Sequence, residues 1–415
     1  MYKARLWSAF RALSNRDYRL FFFGQGASLI GTWMQHIAAN WLIYRLTYSE
    51  FMLGLSSFLE LIPVFLLSPI AGVFGDKFSR RKILITVQIM AMVQALTFAA
   101  ITLTGIVQVW QALTLCCILG IINSFEMPVR QAFVVEMVKD KSDLTNAIAL
   151  NSLIFNASRF IGPAIAGIIA ASFGTGACFL INGLSYIAII AAFLSMNQSN
   201  NKIDKKYKTG KNIFLDMKEG FSYCINFIPI RDLLILVALV GLFVMTFPLL
   251  LPAFAVKVFN GESHTFGLLV SSVGAGAFAA TIYLATRQSI DGIGRIMNIA
   301  IYTLSISLVV FSFNKSISAA IPILIIGGFS MVVVVASCNM VLQTIVDENK
   351  RGRVMSFYVM AFAGTAPVGS LLAGAISSKI GAPMTVLICG SACFILGTLF
   401  YIRLPRVMKF IKQER

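Results

Sequence analysis

Long apolar runs alternate with short polar segments along almost the whole chain. A helix needs about 20 mostly apolar residues to cross the hydrocarbon core of a bilayer. On that basis the pattern predicts twelve membrane-spanning helices, at 20-46, 51-75, 83-104, 107-128, 146-172, 176-196, 232-258, 264-286, 296-314, 318-343, 353-378 and 382-403. The first run lacks a small-residue cleavage site after a short apolar region, so we expect it to remain as a helix and not to be removed as a signal peptide.

The composition supports a membrane protein. Hydrophobic residues make up 58% of the 415 residues and charged residues only 12%, whereas soluble domains carry about 25% charged residues. A water-soluble core of this size has no room for so much apolar surface. The sequence therefore predicts an all-α integral membrane fold.

The basic residues are distributed unevenly between the two sides of the predicted membrane. If both termini lie on one side, 29 Lys and Arg residues fall on that side and 4 on the other, and Arg159 remains inside a span. Cytoplasmic loops carry the excess of Lys and Arg, so we expect both termini in the cytoplasm of a bacterium and the chain in its inner membrane. This topology accounts for the formal net charge of +17 without a nucleic-acid partner.

A polar, basic stretch at 197-231 divides the chain into two regions of similar length, 1-196 and 232-415. Part of this stretch has apolar residues at helical spacing, which predicts a short amphipathic helix on the inner membrane surface. We expect each region to form a six-helix bundle and the stretch between them to form a cytoplasmic linker.

The two regions also resemble each other in sequence. The glycine-containing stretch 162–167 in the fifth predicted span corresponds to 369–374 in the eleventh, and the loop 75–80 corresponds to 290–295. Internal repeats at about half the chain length are typical of secondary transporters. They favour two pseudo-symmetric bundles.

Five motifs resemble those of a known transporter family. They are Gly72-x-x-x-Asp76-Lys77-x-Ser79-Arg80-Arg81, Ser158-x-x-x-Gly162-Pro163-x-x-Ala166-Gly167, Gly31-Thr-Trp33-Met-Gln35, Glu126-Met-Pro128-Val-Arg130-Gln131-Ala-Phe133 and Asn146-Ala-Ile-Ala-Leu-Asn151. The first two resemble the loop signature and the antiporter motif of the major facilitator superfamily. The other three resemble its subgroup of enterobactin exporters, macrolide efflux pumps and transmembrane secretion effectors. The resemblance extends over essentially the whole chain and implies the major facilitator fold and export of a small molecule.

One position departs from that pattern. Drug pumps of the family often carry an Arg early in the fourth span, and Cys116 stands there in this chain. The proton-relay role of that Arg therefore does not transfer.

The resemblance to the loop signature implies a cytoplasmic gate. Its residues would be Asp76, Arg80, Arg81 and Glu136, with Asp291 and Arg295 at the corresponding place in the second half. We expect Arg80 to reach Glu136 and Asp76 to meet the positive N-terminal end of the eleventh span, so that the two halves are held together on the cytoplasmic side. The alternative is a basic loop that only fixes the topology.

Gly162, Pro163 and Gly167 form the motif in the fifth span. Pro163 removes one backbone hydrogen bond, and the glycines allow close approach of another helix. An ordinary proline kink and a specific role in antiport are both open; the resemblance implies export.

Four ionisable side chains inside the predicted spans are candidates for proton coupling, namely Glu60, Arg159, Glu126 and His36. Burial of a carboxylate favours its neutral form, so Glu60 could bind a proton when buried and release it when hydrated. The alternative is a static ion pair of Glu60 with Arg159. Glu126 and Arg130 stand one helical turn apart, which favours a local ion pair, and His36 favours a hydrogen-bonded packing role over a proton relay.

Several polar or soft side chains are candidates to line a substrate cavity between the halves. They are Gln25, Gln35, Asn40, Asn151, Asn156, Met245, Phe247, Asn339 and Gln343. The sequence contains no phosphate-binding loop, paired catalytic carboxylates or nucleophile triad, and its seven cysteines have no metal-ligand spacing. We therefore expect neither an enzyme nor a bound cofactor or metal.

These features together predict a monomeric secondary transporter. We expect it to export a small amphipathic solute, a drug or a siderophore, by alternating access and proton antiport, with the solute, protons and membrane lipids as its partners. The alternatives are the same fold carrying a lysophospholipid or a metal ion, and a non-transporting membrane receptor or assembly factor.

Overall fold

The computed structural model describes residues 11–138, 141–196, 221–244, 246–287, 292–346 and 348–413, which form helices joined by short connections. The predicted all-α fold class is confirmed. Of the predicted linker helix, residues 221–226 are helical, and the rest lies outside the described residues.

Six long helices belong to the first half of the chain. They are α1 (Arg16–Thr47), α2 (Glu50–Lys77), α3 (Arg80–Leu103), α4 (Val109–Met137), α5 (Lys141–Phe173) and α6 (Thr175–Ser195). α1 packs against α5 and α6, α2 packs against α4, and α3 packs against α4 and α6. The N-terminus of α1 is capped by Asn15, whose side chain accepts hydrogen bonds from the backbone N–H groups of Asp17 and Tyr18, as favoured N-cap residues do.

Seven helices of 16 residues or more are described in the second half. They are α7 (Ile228–Phe243), α8 (Ser263–Ala285), α9 (Ile293–Phe313), α10 (Ile317–Ile345), α11 (Glu348–Ala363), α12 (Thr365–Ile380) and α13 (Ala382–Gln413). The predicted eleventh span is divided at Gly364 into α11 and α12. After α7 the chain continues through a 3₁₀ turn (Phe247–Leu250), a short α-helical turn and a π-helical turn (Phe254–Val258).

Eleven helical segments of the described residues are long and apolar enough to cross a membrane. α1 is not among them although it has 32 residues, because polar side chains such as Gln25, Gln35, His36 and Asn40 interrupt its apolar run. The membrane fold is thus supported by length and composition, and the count of twelve spans stays a prediction.

Successive spans alternate in direction, with α11 and α12 as two parts of one span, so the connections between spans gather at two ends of the bundle. α2 begins at Glu50 next to the last residues of α1, and we call this end the Glu50 end. α3 begins at Arg80 next to the last residues of α2, and we call the opposite end the Arg80 end. The two halves meet mainly through α5 with α8 and through α2 with α12.

Candidate functional site

The contact between α5 and α8 is a close approach of two backbones at glycine residues. A Cβ atom at Gly267 of α8 would lie 2.6 Å from the carbonyl oxygen of Pro163, and a Cβ atom at Gly167 of α5 would lie 3.0 Å from the Cα atom of Gly267. Real Cβ atoms do not approach other atoms within 3.0 Å. The motif in the fifth predicted span therefore lies at the interface between the halves, where small residues permit helix contact.

The contact between α2 and α12 has the same character and lies nearer the Glu50 end. A Cβ atom at Gly54 would lie 2.6 Å from the carbonyl oxygen of Ser370. At this end the Nζ of Lys257 lies 2.6 Å from the Oε1 of Glu50, whose side chain is 4% exposed. These contacts close the bundle at its Glu50 end.

A pair of titratable side chains lies about midway along the bundle. The Nδ1 of His36 on α1 is 3.2 Å from the Oε1 of Glu60 on α2. Their side chains are 29% and 16% exposed, respectively, so the pair is mostly shielded but not sealed. The backbone of Glu60 lies close to α4, because Gly120 of α4 has no side chain. A Cβ atom at Gly120 would clash with the carbonyl oxygen of Glu60.

Arg159 does not form the ion pair with Glu60 that was considered from the sequence. Its guanidinium carbon lies 5.7 Å from the centre of the Trp33 ring, within the range of a cation–π interaction. The Trp33 ring in turn lies 5.7 Å from the His36 ring and 6.0 Å from the Phe155 ring. Glu60 faces His36 instead, a partner that can itself gain or lose a proton.

The local ion pair predicted between Glu126 and Arg130 is present in α4. The Nε of Arg130 lies 2.6 Å from the Oε1 of Glu126, and both side chains are largely buried. A second nitrogen of Arg130 donates to the Oδ1 of Asn151 on α5 at 3.5 Å. Asn151 thus connects α5 to this ion pair.

Two of the amides expected to line a cavity are buried inside the first half, and the expectation is wrong for them. Gln35 is 2% exposed; it donates to the Oε1 of Gln94 at 2.9 Å and accepts from the Nδ2 of Asn182 at 2.8 Å. Gln25 is also 2% exposed. The Gln35 amide joins α1 to α3 and α6, because a buried amide has to find hydrogen-bond partners.

The remaining cavity candidates that the structure describes are more accessible, except Phe247. Asn40 and Asn156 are partly exposed, and the Nδ2 of Asn156 donates to the carbonyl oxygen of Ser152. On α10, the Nε2 of Gln343 donates to the Oδ1 of Asn339 at 2.5 Å. Phe247 is buried at 1% exposure and does not face a cavity, and Met245 lies outside the described residues.

The loop at the Arg80 end forms one of the expected contacts, but within a single half. The side chain of Arg80 lies 2.6 Å from the Oε1 of Glu136, as predicted, and this pair joins α3 to α4. The Nε and Nη2 of Arg81 donate to the carbonyl oxygens of Phe193 and Leu194 at the end of α6. Arg80 and Arg81 thus join helices of the first half, and the expected contact between the two halves at this loop stays a prediction.

The other gate candidates are Arg295, Asp76 and Asp291. Arg295 is exposed in the first turn of α9. The side chain of Asp76 and the whole of Asp291 lie outside the described residues.

Three features of the site were missed by the sequence reasoning. They are the Trp33 ring beneath Arg159, the pair Lys257–Glu50, and the amide partners Gln94 and Asn182. The pair of Lys257 with Glu50 could have been predicted, since Lys257 is one of only four basic residues predicted on its side of the membrane. A cation there needs a carboxylate at the same end, and Glu50 immediately precedes the predicted span 51-75 at that end.

A membrane-embedded helical protein whose two halves meet at small-residue helix crossings, around ionisable groups at mid-depth, has the architecture of a secondary transporter. The family model described as "Transmembrane secretion effector", a family of the major facilitator type, matches residues 7–413. The chain belongs to this family. The match confirms the resemblance seen in the sequence motifs.

Full-length relatives place the chain among efflux transporters. It is 27% identical over 390 residues to the staphyloferrin A transporter of Staphylococcus aureus, covering 92% of this chain and 95% of the relative. It is 21% identical over 371 residues to macrolide efflux protein A of Streptococcus pyogenes, covering 89% of this chain and 91% of the relative. The chain is a multi-pass membrane transporter of the efflux type, and its relatives are transporters of small molecules and not enzymes.

Solved structures show the same fold. The nucleoside transporter NupG superimposes with a TM-score of 0.74, at 11% identity, over 93% of this chain and 98% of that chain. This likeness concerns the fold.

Proposed function

We propose that this protein exports a small amphipathic solute, a siderophore or a drug, and that export is coupled to proton entry. The observation that carries the proposal is the contact between His36 and Glu60, 3.2 Å apart and about midway along the bundle. An ionisable pair in a membrane interior is costly and is by default a functional candidate. The cargo class is taken from the relatives, which transport staphyloferrin A and macrolides.

The chemistry of the pair suits proton coupling. When His36 is protonated and Glu60 is ionised, the two side chains attract each other and their charges cancel. A second proton can then bind only to Glu60, which breaks the attraction and leaves a net positive charge in a poorly solvated place. The loaded and unloaded pairs therefore favour different surroundings, as proton-driven alternating access requires.

The conformation supports the same proposal. The halves are closed at the Glu50 end through Gly54, Gly167, Gly267 and the pair Lys257–Glu50. The ion pairs described at the Arg80 end, such as Arg80–Glu136, each remain within one half. Since the positive-inside rule assigns the Arg80 end to the cytoplasm, we interpret the structure as the inward-facing state of a monomer in the bacterial inner membrane, with both termini cytoplasmic.

Opening to the outside would have to separate these contacts. The salt bridge at Glu50 and the glycine crossings would part at the Glu50 end, while the halves would approach each other at the Arg80 end. The basic loop that contains Arg80 and Arg81 would then lie at the closing interface.

The proposal is tested by transport into proteoliposomes that contain the purified chain. Radiolabelled erythromycin and labelled staphyloferrin A are added outside vesicles with an acidic lumen, where inverted molecules work as exporters into the vesicle. The proposal predicts accumulation of at least one of the two above that in empty vesicles, and loss of accumulation when a protonophore collapses the gradient. Accumulation of neither, or accumulation that survives the protonophore, contradicts it.

A further inference from the structure

Arg159 is a cation in the middle of a membrane span. The apolar segment of α5 extends from Asn146 to Phe173, so Arg159 lies 13 residues from one end and 14 from the other. At a rise of about 1.5 Å per residue this is about 20 Å from either end. A charge at that depth is costly and is normally compensated by a counter-charge.

Among the described residues, no carboxylate lies within 4.0 Å of the Arg159 guanidinium. The two carboxylates considered for proton coupling have other partners: Glu60 faces His36 and Glu126 binds Arg130. Each of these pairs can balance its own charge. Within the described part of the chain, the charge of Arg159 is therefore not balanced by a carboxylate in contact with it.

The position of Arg159 also places it where a solute would pass. Its backbone lies at the interface of the halves, since a Cβ atom at Gly274 of α8 would lie 2.5 Å from the carbonyl oxygen of Arg159. Its side chain extends over Trp33 of α1 and is only partly buried. Trp33 in turn lies beside His36 of the proton-coupling pair.

A guanidinium that lies over an aromatic ring keeps its binding capacity for an anion. A cation–π contact uses the positive charge of the guanidinium, and its N–H donors, which point outward in the plane of the group, can still donate to an anion. Those donors match the two oxygens of a carboxylate, and such bidentate pairs are among the strongest hydrogen bonds in proteins. The rings of Trp33 and Phe155 add apolar surface beside the guanidinium of Arg159.

We propose that Arg159 binds a carboxylate group of the transported solute, with Trp33 holding the guanidinium in place. The substrate class is then an amphipathic carboxylate, and Arg159 determines the preference for the anion. This inference rests on the proposed export function. It concerns binding alone, so it can be tested without a proton gradient.

The test uses a variant in which Trp33 is the only tryptophan, with phenylalanine at the other three tryptophan positions. Quenching of Trp33 fluorescence is titrated with 4-nitrobenzoate and with 4-nitrobenzamide in detergent at neutral pH. The two probes share a quenching ring and differ in charge. We expect saturable quenching with about tenfold or greater preference for the carboxylate, the size of one charge-assisted contact.

Two substitutions decide whether Arg159 is the cause. R159Q removes the charge and should bring the affinities for the carboxylate and the amide to about the same value. R159K keeps a charge without the bidentate fork and should retain part of the preference for the carboxylate. R45Q is the matched control, because Arg45 also lies over an aromatic side chain, at position 41, but at the Glu50 end. That side chain is Trp41 at 5.9 Å in the native chain and phenylalanine in the test variant. R45Q should leave the preference unchanged.

The proposal is overturned if the parent variant shows no preference for the carboxylate, if R159Q retains the preference, or if R45Q removes it. If proton-driven transport fails but the preference for the carboxylate is present and depends on Arg159, the coupling mechanism is overturned and this inference stands. The two failures are therefore distinguishable.

Discussion

The ammonium of Lys257 lies 2.6 Å from the carboxylate of Glu50 and joins the second half of the chain to the start of α2 in the first half. The carboxylate is almost fully buried while the lysine is about half exposed. The pair therefore stabilises the closed Glu50 end, and breaking it should favour the outward-open state.

We predict that E50Q increases the population open at the Glu50 end about fivefold, the equivalent of about 1 kcal/mol for a partly exposed ion pair. Pulsed EPR between spin labels at Tyr48 and Lys315, which are exposed at that end in different halves, measures the two populations. E262Q, which removes an exposed carboxylate at the same end, should change nothing. Identical distance distributions for E50Q and the parent would refute a role of the pair in closure.

The glycine crossing of α5 and α8 yields a second prediction. G267A introduces a Cβ atom 2.6 Å from a backbone oxygen, so the helices must separate, at a cost of about 1–3 kcal/mol as for other overpacked sites. Thermal unfolding in detergent should show a lower melting temperature. G327A is the control, because its nearest neighbour would be Ser307 Cβ at 3.5 Å; a similar loss there would indicate a general effect of helix glycines.

The buried pair Glu126–Arg130 leads to a third prediction. E126Q leaves the guanidinium of Arg130 without its counter-charge, and loss of one partner of a buried pair costs about 3–5 kcal/mol. The double variant E126Q/R130M should recover much of that stability, since neither charge is then buried. If the double variant is as unstable as the sum of the two single variants, the two side chains act independently and the prediction is wrong.

The pair Arg80–Glu136 is expected to stabilise one half and not the contact between halves. R80A and E136A should each lower the melting temperature slightly, with a coupling free energy of about 0.2–1 kcal/mol in a double-mutant cycle. R80A should leave the Tyr48–Lys315 distance distribution unchanged, because the contacts that close the Glu50 end do not involve Arg80. A shift of that distribution would show that Arg80 does connect the halves.

The helices and some contacts could be predicted from the sequence because they depend on local spacing. Apolar runs located the helices, although α4 and α13 extend nine and ten residues beyond the predicted ends at 128 and 403. The four-residue spacing of Glu126 and Arg130 placed their side chains on one face of α4. The contact between Arg80 and Glu136 was expected from the resemblance to the family's loop signature and not from spacing.

The remaining contacts depend on how helices turn toward one another, which spacing along the chain does not determine. The sequence suggested Arg159 as a partner for Glu60, whereas the contact with His36 depends on how α1 packs against α2. The burial of Gln35 likewise depends on Gln94 and Asn182, which lie on two other helices. The gate at the Arg80 end stays a prediction, because the family motif does not say in which conformation the gate closes.

The most direct test of proton coupling compares E60Q with the parent protein in the same proteoliposomes. E60Q should fold and should still exchange labelled for unlabelled erythromycin or staphyloferrin A at equal pH, because glutamine keeps the size of the side chain. It should no longer accumulate the solute in response to a pH gradient, whereas E262Q should accumulate it like the parent. Gradient-driven accumulation by E60Q at the parent level would contradict the assignment of Glu60 as the proton carrier.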